Sequence, residues 1–123
     1  MSQFNFAGGS TAVNMLAAVS AANTAAATST GVDLLDYEGP VLVVQNHGTG
    51  TGTLDGKIQD SADNASFADV SPAISFTQVT TTADTQKVAF NAKSVRRYVR
   101  YVGTIVTGPH LVGVTLVGFK KTV

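Results

Sequence analysis

Residues Leu54 to Gln59 alternate strictly, with Leu54, Gly56 and Ile58 to one side and Asp55, Lys57 and Gln59 to the other. A period of two marks a half-buried β-strand, because successive side chains leave opposite faces of an extended backbone. The polar run Ser61-Ala62-Asp63-Asn64-Ala65-Ser66 follows. Its short side chains hydrogen-bond their own backbone and tolerate a left-handed residue, so the chain can reverse there. Phe67 and Val70 are the apolar anchors after the reversal. The stretch Leu54 to Val70 therefore predicts a hairpin, and a lone hairpin cannot bury itself in water. The rest of the chain has to supply a second layer.

Short strand patterns separated by turn residues recur from Val32 onward. Val32 to Tyr37 ends at Glu38-Gly39-Pro40, where proline cannot donate to a ladder. Val41 to Asn46 is apolar on both faces, as a central strand covered on two sides would be. His47 to Thr53, with glycine at 48, 50 and 52, reads as a flexible loop. After the hairpin, Ile74 to Val79 turns Ile74 and Phe76 inward, and Gln86 to Asn91 turns Val88 and Phe90 inward. Val95 to Val106 sets Val99, Tyr101 and Ile105 against Arg96, Tyr98 and Arg100. Thr107-Gly108-Pro109-His110 breaks that run, and Leu111 to Phe119 closes the domain with Val112, Val114 and Leu116 in register. No apolar stripe of helical period follows Thr30. The expected fold is all-β, an antiparallel β-sandwich of about seven strands in two sheets face to face, jelly-roll-like in kind.

Met1 to Thr30 stands apart by composition: Ala, Ser, Thr, Asn and Gly predominate and no side chain is formally charged. Thr11 to Ala22 suits a short helix capped by Ser10 or Thr11, since alanine is the best helix former. Ala21 to Thr30 suits an extended arm or an edge strand. Phe4 and Phe6, with Met15 and Leu16, are the side chains by which such an arm would order against a neighbouring subunit; the competing reading tucks it onto its own domain. Val13 to Val19 has the shape of a secretory core, yet Gly8-Gly9-Ser10 stands where a signal peptide needs Lys or Arg. The expected organisation is an N-terminal arm over residues 1–30, extended or partly helical, and a β-sandwich domain over residues 31–123.

A length of 123 residues suits one domain that buries roughly two-thirds of the surface its unfolded chain exposes. Acids and bases balance at eight each, and only 13% of residues are charged, against about 25% in ordinary soluble proteins. So sparse a charged surface suggests that part of the exterior is covered by other protein. Neutrality argues against a nucleic-acid or anionic-membrane binder, which needs a concentrated positive field. No uncharged apolar run approaches the length of a membrane span. The chain has no cysteine, which rules out disulfides and thiolate metal sites.

Few residues suggest chemistry. Gly48, Gly50 and Gly52 lack the Gly-Lys-Ser/Thr and the helix start of a phosphate loop. His47 and His110 fall in predicted loops without a Cys or Glu at ligand spacing, and are expected to face solvent. Asp60 and Asp63 flank a turn and supply too few oxygens for calcium. No serine sits in a Gly-x-Ser-x-Gly elbow. No catalytic, metal-binding or cofactor-binding residue is expected, and the chain is not expected to be an enzyme. Arg96, Arg97, Tyr98, Arg100 and Tyr101 are the one concentration of charge. Alternation puts Arg96, Tyr98 and Arg100 on one face, a strip suited to meet an acidic partner or stack on a base, or else to pair with aspartates of a neighbouring strand. Arg97, on the other face, needs a carboxylate if buried.

Two resemblances follow. Lys57-Ile58-Gln59-Asp60-Ser61-Ala62-Asp63-Asn64 with Phe67, then Phe90, Arg97-Tyr98-Val99-Arg100 and Val114-Thr115-Leu116-Val117-Gly118-Phe119, resembles galactose-binding-type jelly rolls, with Phe67 where a tryptophan often stands. The body from Val32 through Val43-Val44-Gln45-Asn46, the Gly-Thr-Gly-Thr-Leu run and the closing Val117-Gly118-Phe119-Lys120-Lys121 resembles small virion proteins of tailed bacteriophages, in particular capsid decoration, or cement, proteins. That second resemblance implies a virion protein on the capsid surface whose partner is the major capsid protein. It also implies self-association, for which a trimer about a local symmetry axis of the shell is one arrangement. The contacts it implies run through Phe4, Phe6, Met15, Leu16, Arg96, Tyr98 and Arg100. A carbohydrate-binding module and a head-to-tail connector or tail component of the same virion are the alternatives.

Overall fold

A computed structural model of the chain describes residues 10–121. Its strands are β1 (Thr11–Ala21), β2 (Val32–Asp33), β3 (Tyr37–Gly50), β4 (Thr53–Ser61), β5 (Ala68–Asp69), β6 (Asp84–Asn91), β7 (Tyr98–Val106) and β8 (His110–Lys120), with one short 3-10 turn at Ala92–Ser94. They form two four-stranded sheets, ordered β1-β8-β3-β6 (sheet I) and β2-β7-β4-β5 (sheet II). First pairs with eighth, second with seventh, third with sixth and fourth with fifth, always antiparallel. That is the pairing of one long hairpin wrapped around a core, and the β3–β8 and β4–β7 ladders complete the two sheets. The architecture is a jelly roll.

Side-chain alternation along each ladder builds the core. Leu54 and Ile58 of β4 face inward at 0% and 1% exposure, and Val41, Val43, Val99, Tyr101, Val112, Val114 and Leu116 meet them from the other strands. Burying one such aliphatic side chain stabilises the fold by about 1.5–3 kcal/mol. The turn after β4 also follows its sequence. The Ser61 hydroxyl accepts from the Asp63 and Asn64 amides, and the Asp63 carboxylate accepts from the Ala65 and Ser66 amides. Asn64 takes the left-handed conformation, at φ 61°. Those bonds, the one from Ser66 foremost, hold the Asp63 carboxyl down at about 2.

Irregular chain covers both edges of sheet II. Between β1 and β2 it runs along β7, where the Ser29 amide donates to the Tyr101 carbonyl and the Gly103 amide to the Ala27 carbonyl. Along β4 the Ile58 amide donates to the Ile74 carbonyl, the Phe76 amide to the Gly56 carbonyl, and Leu54 and Val79 exchange both bonds. Ile74–Val79, expected as a strand, is thus a loop bridged to β4 at Ser75 and Val79.

The N-terminal segment departs most from expectation. Thr11–Ala21 is neither a helix nor an appended arm; it is the edge strand of sheet I, paired with β8 from Thr11 opposite Gly118 to Ala21 opposite His110. Alanine's helix propensity is worth under about 1 kcal/mol per residue, and a ladder of hydrogen bonds plus burial of Met15, Leu16 and Ala21 outweighs it. Register shifts between Asn14 and Leu16 and between Leu16 and Val19 let the adjacent Met15 and Leu16 both reach the core. The division at residue 30 is therefore not a boundary of the fold. Two smaller expectations also change. β3 begins at Tyr37 and passes through Pro40, with a register shift against β8 between Glu38 and Val41. The supposed glycine loop from His47 to Gly50 is the last part of the same strand.

Deleting residues 1–21 should consequently abolish the cooperative thermal transition, because it exposes the edge of β8 and empties part of the core. Circular dichroism melting of the shortened chain checks this; a transition close to that of the full chain would contradict it.

Candidate contact surface

The two outer faces of the sandwich differ in chemistry. On sheet II, charges interlock. Arg96 donates to the Asp60 carboxylate from Nε and Nη2, and its backbone amide donates there too. Asp60 is nearly buried, its side chain 10% exposed, while that of Arg96 is 48% exposed. Arg100 donates twice to Gln59 Oε1 and lies 4.4 Å above the Phe67 ring. Gln59 passes a hydrogen bond to Asp69, which also pairs with Lys57 at 3.0 Å. Arg97 is not buried; it forks onto Asp33 at 2.8 and 2.9 Å and sits over Tyr98. Its guanidinium holds the Asp33 carboxyl below the usual carboxylate range. Of the predicted strip, Tyr98 and Arg100 share the outer face of β7, whereas Arg96 precedes the strand. Both arginines are engaged within the chain.

Sheet I presents the opposite. Opposed residues in a ladder share a face, and the register places Ala12, Val117, Leu42 and Ala89 in one row across all four strands. Asn14, Thr115, Val44 and Lys87 form the next row. Lys87 is the only charge in those two rows, and Glu38, opposite Phe119, lies at one end. At the other end a shallow depression of about 350 Å³ opens between Ala18, Ser20, Asn46, Gly48 and Leu111, with Leu111 48% exposed. A sheet face this poor in charge, and rich in Leu and Val, suits protein contact better than water.

Met15 and Leu16, predicted to touch a partner, are instead core residues at 5% and 9% exposure. Phe4 and Phe6 lie outside the described residues. The sequence reading also placed both histidines wrongly. His47 and His110 are on β3 and β8, at 1% and 0% exposure, with His47 Nε2 2.9 Å from His110 Nδ1. Their signal was available in the period of two, which extends through His47 from Val41, Val43 and Gln45 and back from Val112 to His110.

The pair has a defined proton arrangement. The Thr82 carbonyl, 2.9 Å from His47 Nδ1, can only accept, so that nitrogen carries hydrogen. With both rings uncharged, His47 Nε2 then accepts from His110 Nδ1–H, leaving His110 Nε2 as a buried lone pair without a partner. Backbone groups of Thr107 and Thr51 favour the charged ring of His110, but more weakly than burial disfavours it. Burial first, and the adjacent His47 second, hold His110 below the ordinary imidazole range. Gly50 makes the arrangement possible: a Cβ there would stand 2.0 Å from His110 Nδ1. Further along the interior, Tyr101 Oη donates to Gln45 Oε1, leaving Gln45 Nε2 unpaired. Burial pushes the Tyr101 hydroxyl up. Among the described residues, no group of three or more His, Cys, Asp or Glu is placed to hold a metal ion.

Among solved structures, the chain is similar to the SPBc2 prophage-derived protein YomS, with TM-score 0.56 and 15% identity over 89% of this chain and 91% of that one. What they share is the fold. Weaker likenesses are to CBM32-1 from a family 31 glycoside hydrolase of Clostridium perfringens, with TM-score 0.48 and 14% identity over 90% and 94% of the two chains, and to the Tobacco streak virus coat protein, with TM-score 0.43 and 8% identity over 98% and 92%. No protein-family model matches the chain, and no curated protein matches it.

Because the unfolded chain takes up a proton at His110 near pH 6.5 that the folded chain resists, its contribution to stability is present above that pH and lost as pH falls below it. Urea midpoints should hold steady above about pH 7.5 and decline between about pH 6.5 and 5. His110→Gln should cost roughly 1–3 kcal/mol at pH 8 and flatten that decline; an equally steep decline in the variant would assign the acid sensitivity elsewhere.

Proposed function

We propose that this chain is a non-enzymatic structural protein of a bacteriophage particle, a decoration protein that binds the assembled shell of the major capsid protein through the outer face of sheet I. The contrast between the two faces carries the proposal. Sheet II satisfies its own arginines with Asp60, Asp33 and Gln59, so that face is finished without a partner. Sheet I offers Leu42, Val44, Val117 and Ala89 with Lys87 as the one cation among them. The jelly-roll likeness to a prophage-derived protein supports placing the chain in a phage. A rigid sandwich with one low-charge face suits a lattice, because many repeated weak contacts multiply into firm attachment.

The proposal revises the expected contact set. Arg96, Tyr98 and Arg100 are not needed for shell binding, and Met15 and Leu16 act through the core. The first test is mass spectrometry of purified particles. Copies in near-equivalence with the major shell protein support decoration, a number suited to one ring supports a connector, and absence from the particle overturns the reading. The second is Val117→Lys, which places a charge at the centre of the proposed contact and changes a residue outside the buried core. It should reduce particle occupancy at least tenfold while lowering folding stability by no more than about 1 kcal/mol. Unchanged occupancy would move the contact off sheet I.

A further inference from the structure

An edge strand exposes a row of unpaired N–H and C=O groups on which another chain can pair, and natural sheets blunt their edges by shortness, bulges, proline, charged side chains or cover. Three of the four edges here are blunted. β1 carries two register shifts. β2 and β5 are two residues each, and irregular chain bonds to the strands behind them. Among the described residues, β6 carries of these devices only charge, with Asp84 at its start and Lys87 at mid-strand. Its eight residues, Asp84–Asn91, pair with β3 without interruption from Asp84 opposite His47 to Asn91 opposite Pro40, and contain no proline. Among the described residues, no backbone group outside β3 hydrogen-bonds to its backbone. The Gln86 side chain ties the strand to the Thr77 backbone of the facing layer, which fixes its tilt and leaves the edge open.

We propose that β6 pairs antiparallel with β6 of a second copy of this chain about a twofold axis at Val88, joining the two copies of sheet I into one continuous sheet. The register follows from three constraints. Inner residues must stay opposite inner residues, since a slip of one would turn Val88 and Phe90 outward. An axis at Lys87 would set two like charges directly opposite, which is unfavourable. An axis at Ala89 keeps fewer residues paired. The axis at Val88 sets Thr85 opposite Asn91, Gln86 opposite Phe90, Lys87 opposite Ala89 and Val88 opposite its own equivalent. The strand is therefore complementary to itself, as an isologous interface must be. This is the argument for a second copy over a foreign strand: one register satisfies face, charge and length together. The twofold stands perpendicular to the sheet, so the rows of Leu42, Val44 and Val117 on both copies fall on the same side.

The test uses the full chain alone in solution, with no shell present, so its outcome is independent of the proposed particle. Sedimentation velocity over a concentration series should show a dimer of twice the 12.6 kDa chain mass. Ala89→Lys, at an exposed position, sets lysine opposite the Lys87 of the second copy at both ends of the pairing and should weaken the dimer at least tenfold. Ala89→Glu should leave it as tight or tighter, and the double change Lys87→Glu with Ala89→Lys should restore it. Circular dichroism melting confirms that each variant is folded. A monomer at all concentrations, a trimer, or a dimer indifferent to Ala89→Lys would overturn the proposal.

Discussion

The pairing of the first strand with the last is the constraint on which the rest of the structure depends. A jelly roll is a long hairpin wrapped on itself, and the wrap is closed by its two ends meeting, here Thr11–Ala21 on His110–Lys120. That contact satisfies one whole edge of β8 and brings Met15, Leu16 and Ala21 into the core. It also sets β8 between β1 and β3, a position in which each inner residue from Val112 to Leu116 is flanked on both sides. The uncharged, small-residue composition of β1 suits this role. Small side chains such as Ala12, Ala17 and Ala18 cover its outer side without adding charge to a sheet face that holds almost none.

The interior is not uniformly apolar, and two of its buried polar side chains lie close together on β3. Gln45 and His47 follow Val41 and Val43 on the same inward side, and each finds its partner on a different strand, Tyr101 of β7 and His110 of β8. Hydrogen bonds in so dry a setting are stronger than in water, and any group left out is correspondingly costly. The orphaned nitrogens of Gln45 and His110 therefore mark a place where the fold gives up stability. Glycine is needed beside both pairs. A Cβ on Gly56 would come within 2.3 Å of Gln45 Oε1 and 2.7 Å of Tyr101 Oη, as one on Gly50 would strike His110. The alternate glycines that look like a loosened loop are in part the clearance required by buried polar side chains across the sheet.

How much of this was legible from residues alone depends on what set each outcome. Where alternation was strong and local, as in Leu54 to Gln59, Val99 to Tyr101 and Val112 to Leu116, inward faces follow directly from the period of two, and the polar turn at Ser61–Ser66 follows from its side chains. β1 was illegible because its strand state comes from β8, a partner about a hundred residues away, while its alanines favour helix locally. The histidines were misplaced because neighbouring glycine and threonine suggested a loop, although the strand period continued through them. Among site residues, alternation put Tyr98 and Arg100 on one face correctly. It could not show that Asp60 and Gln59 already satisfy Arg96 and Arg100, since those pairings need the β4–β7 register.

The low overall charge takes on meaning once it is mapped. Three ion pairs gather on sheet II and its margins, Lys57 with Asp69, Arg96 with Asp60 and Arg97 with Asp33, and Arg100 is held there by Gln59. Much of the charge on that face is therefore paired where it stands. A protein that only had to remain soluble would gain by dividing those charges between its faces, because an unpaired charge on sheet I would disfavour association there. Segregation does the reverse: it ties up charge within one face and leaves the other with little that disfavours association. The distribution of edges follows the same logic, since sheet II is closed at both sides while sheet I keeps the one long regular edge. Among the described residues, the low-charge face and the long regular edge thus belong to the same sheet.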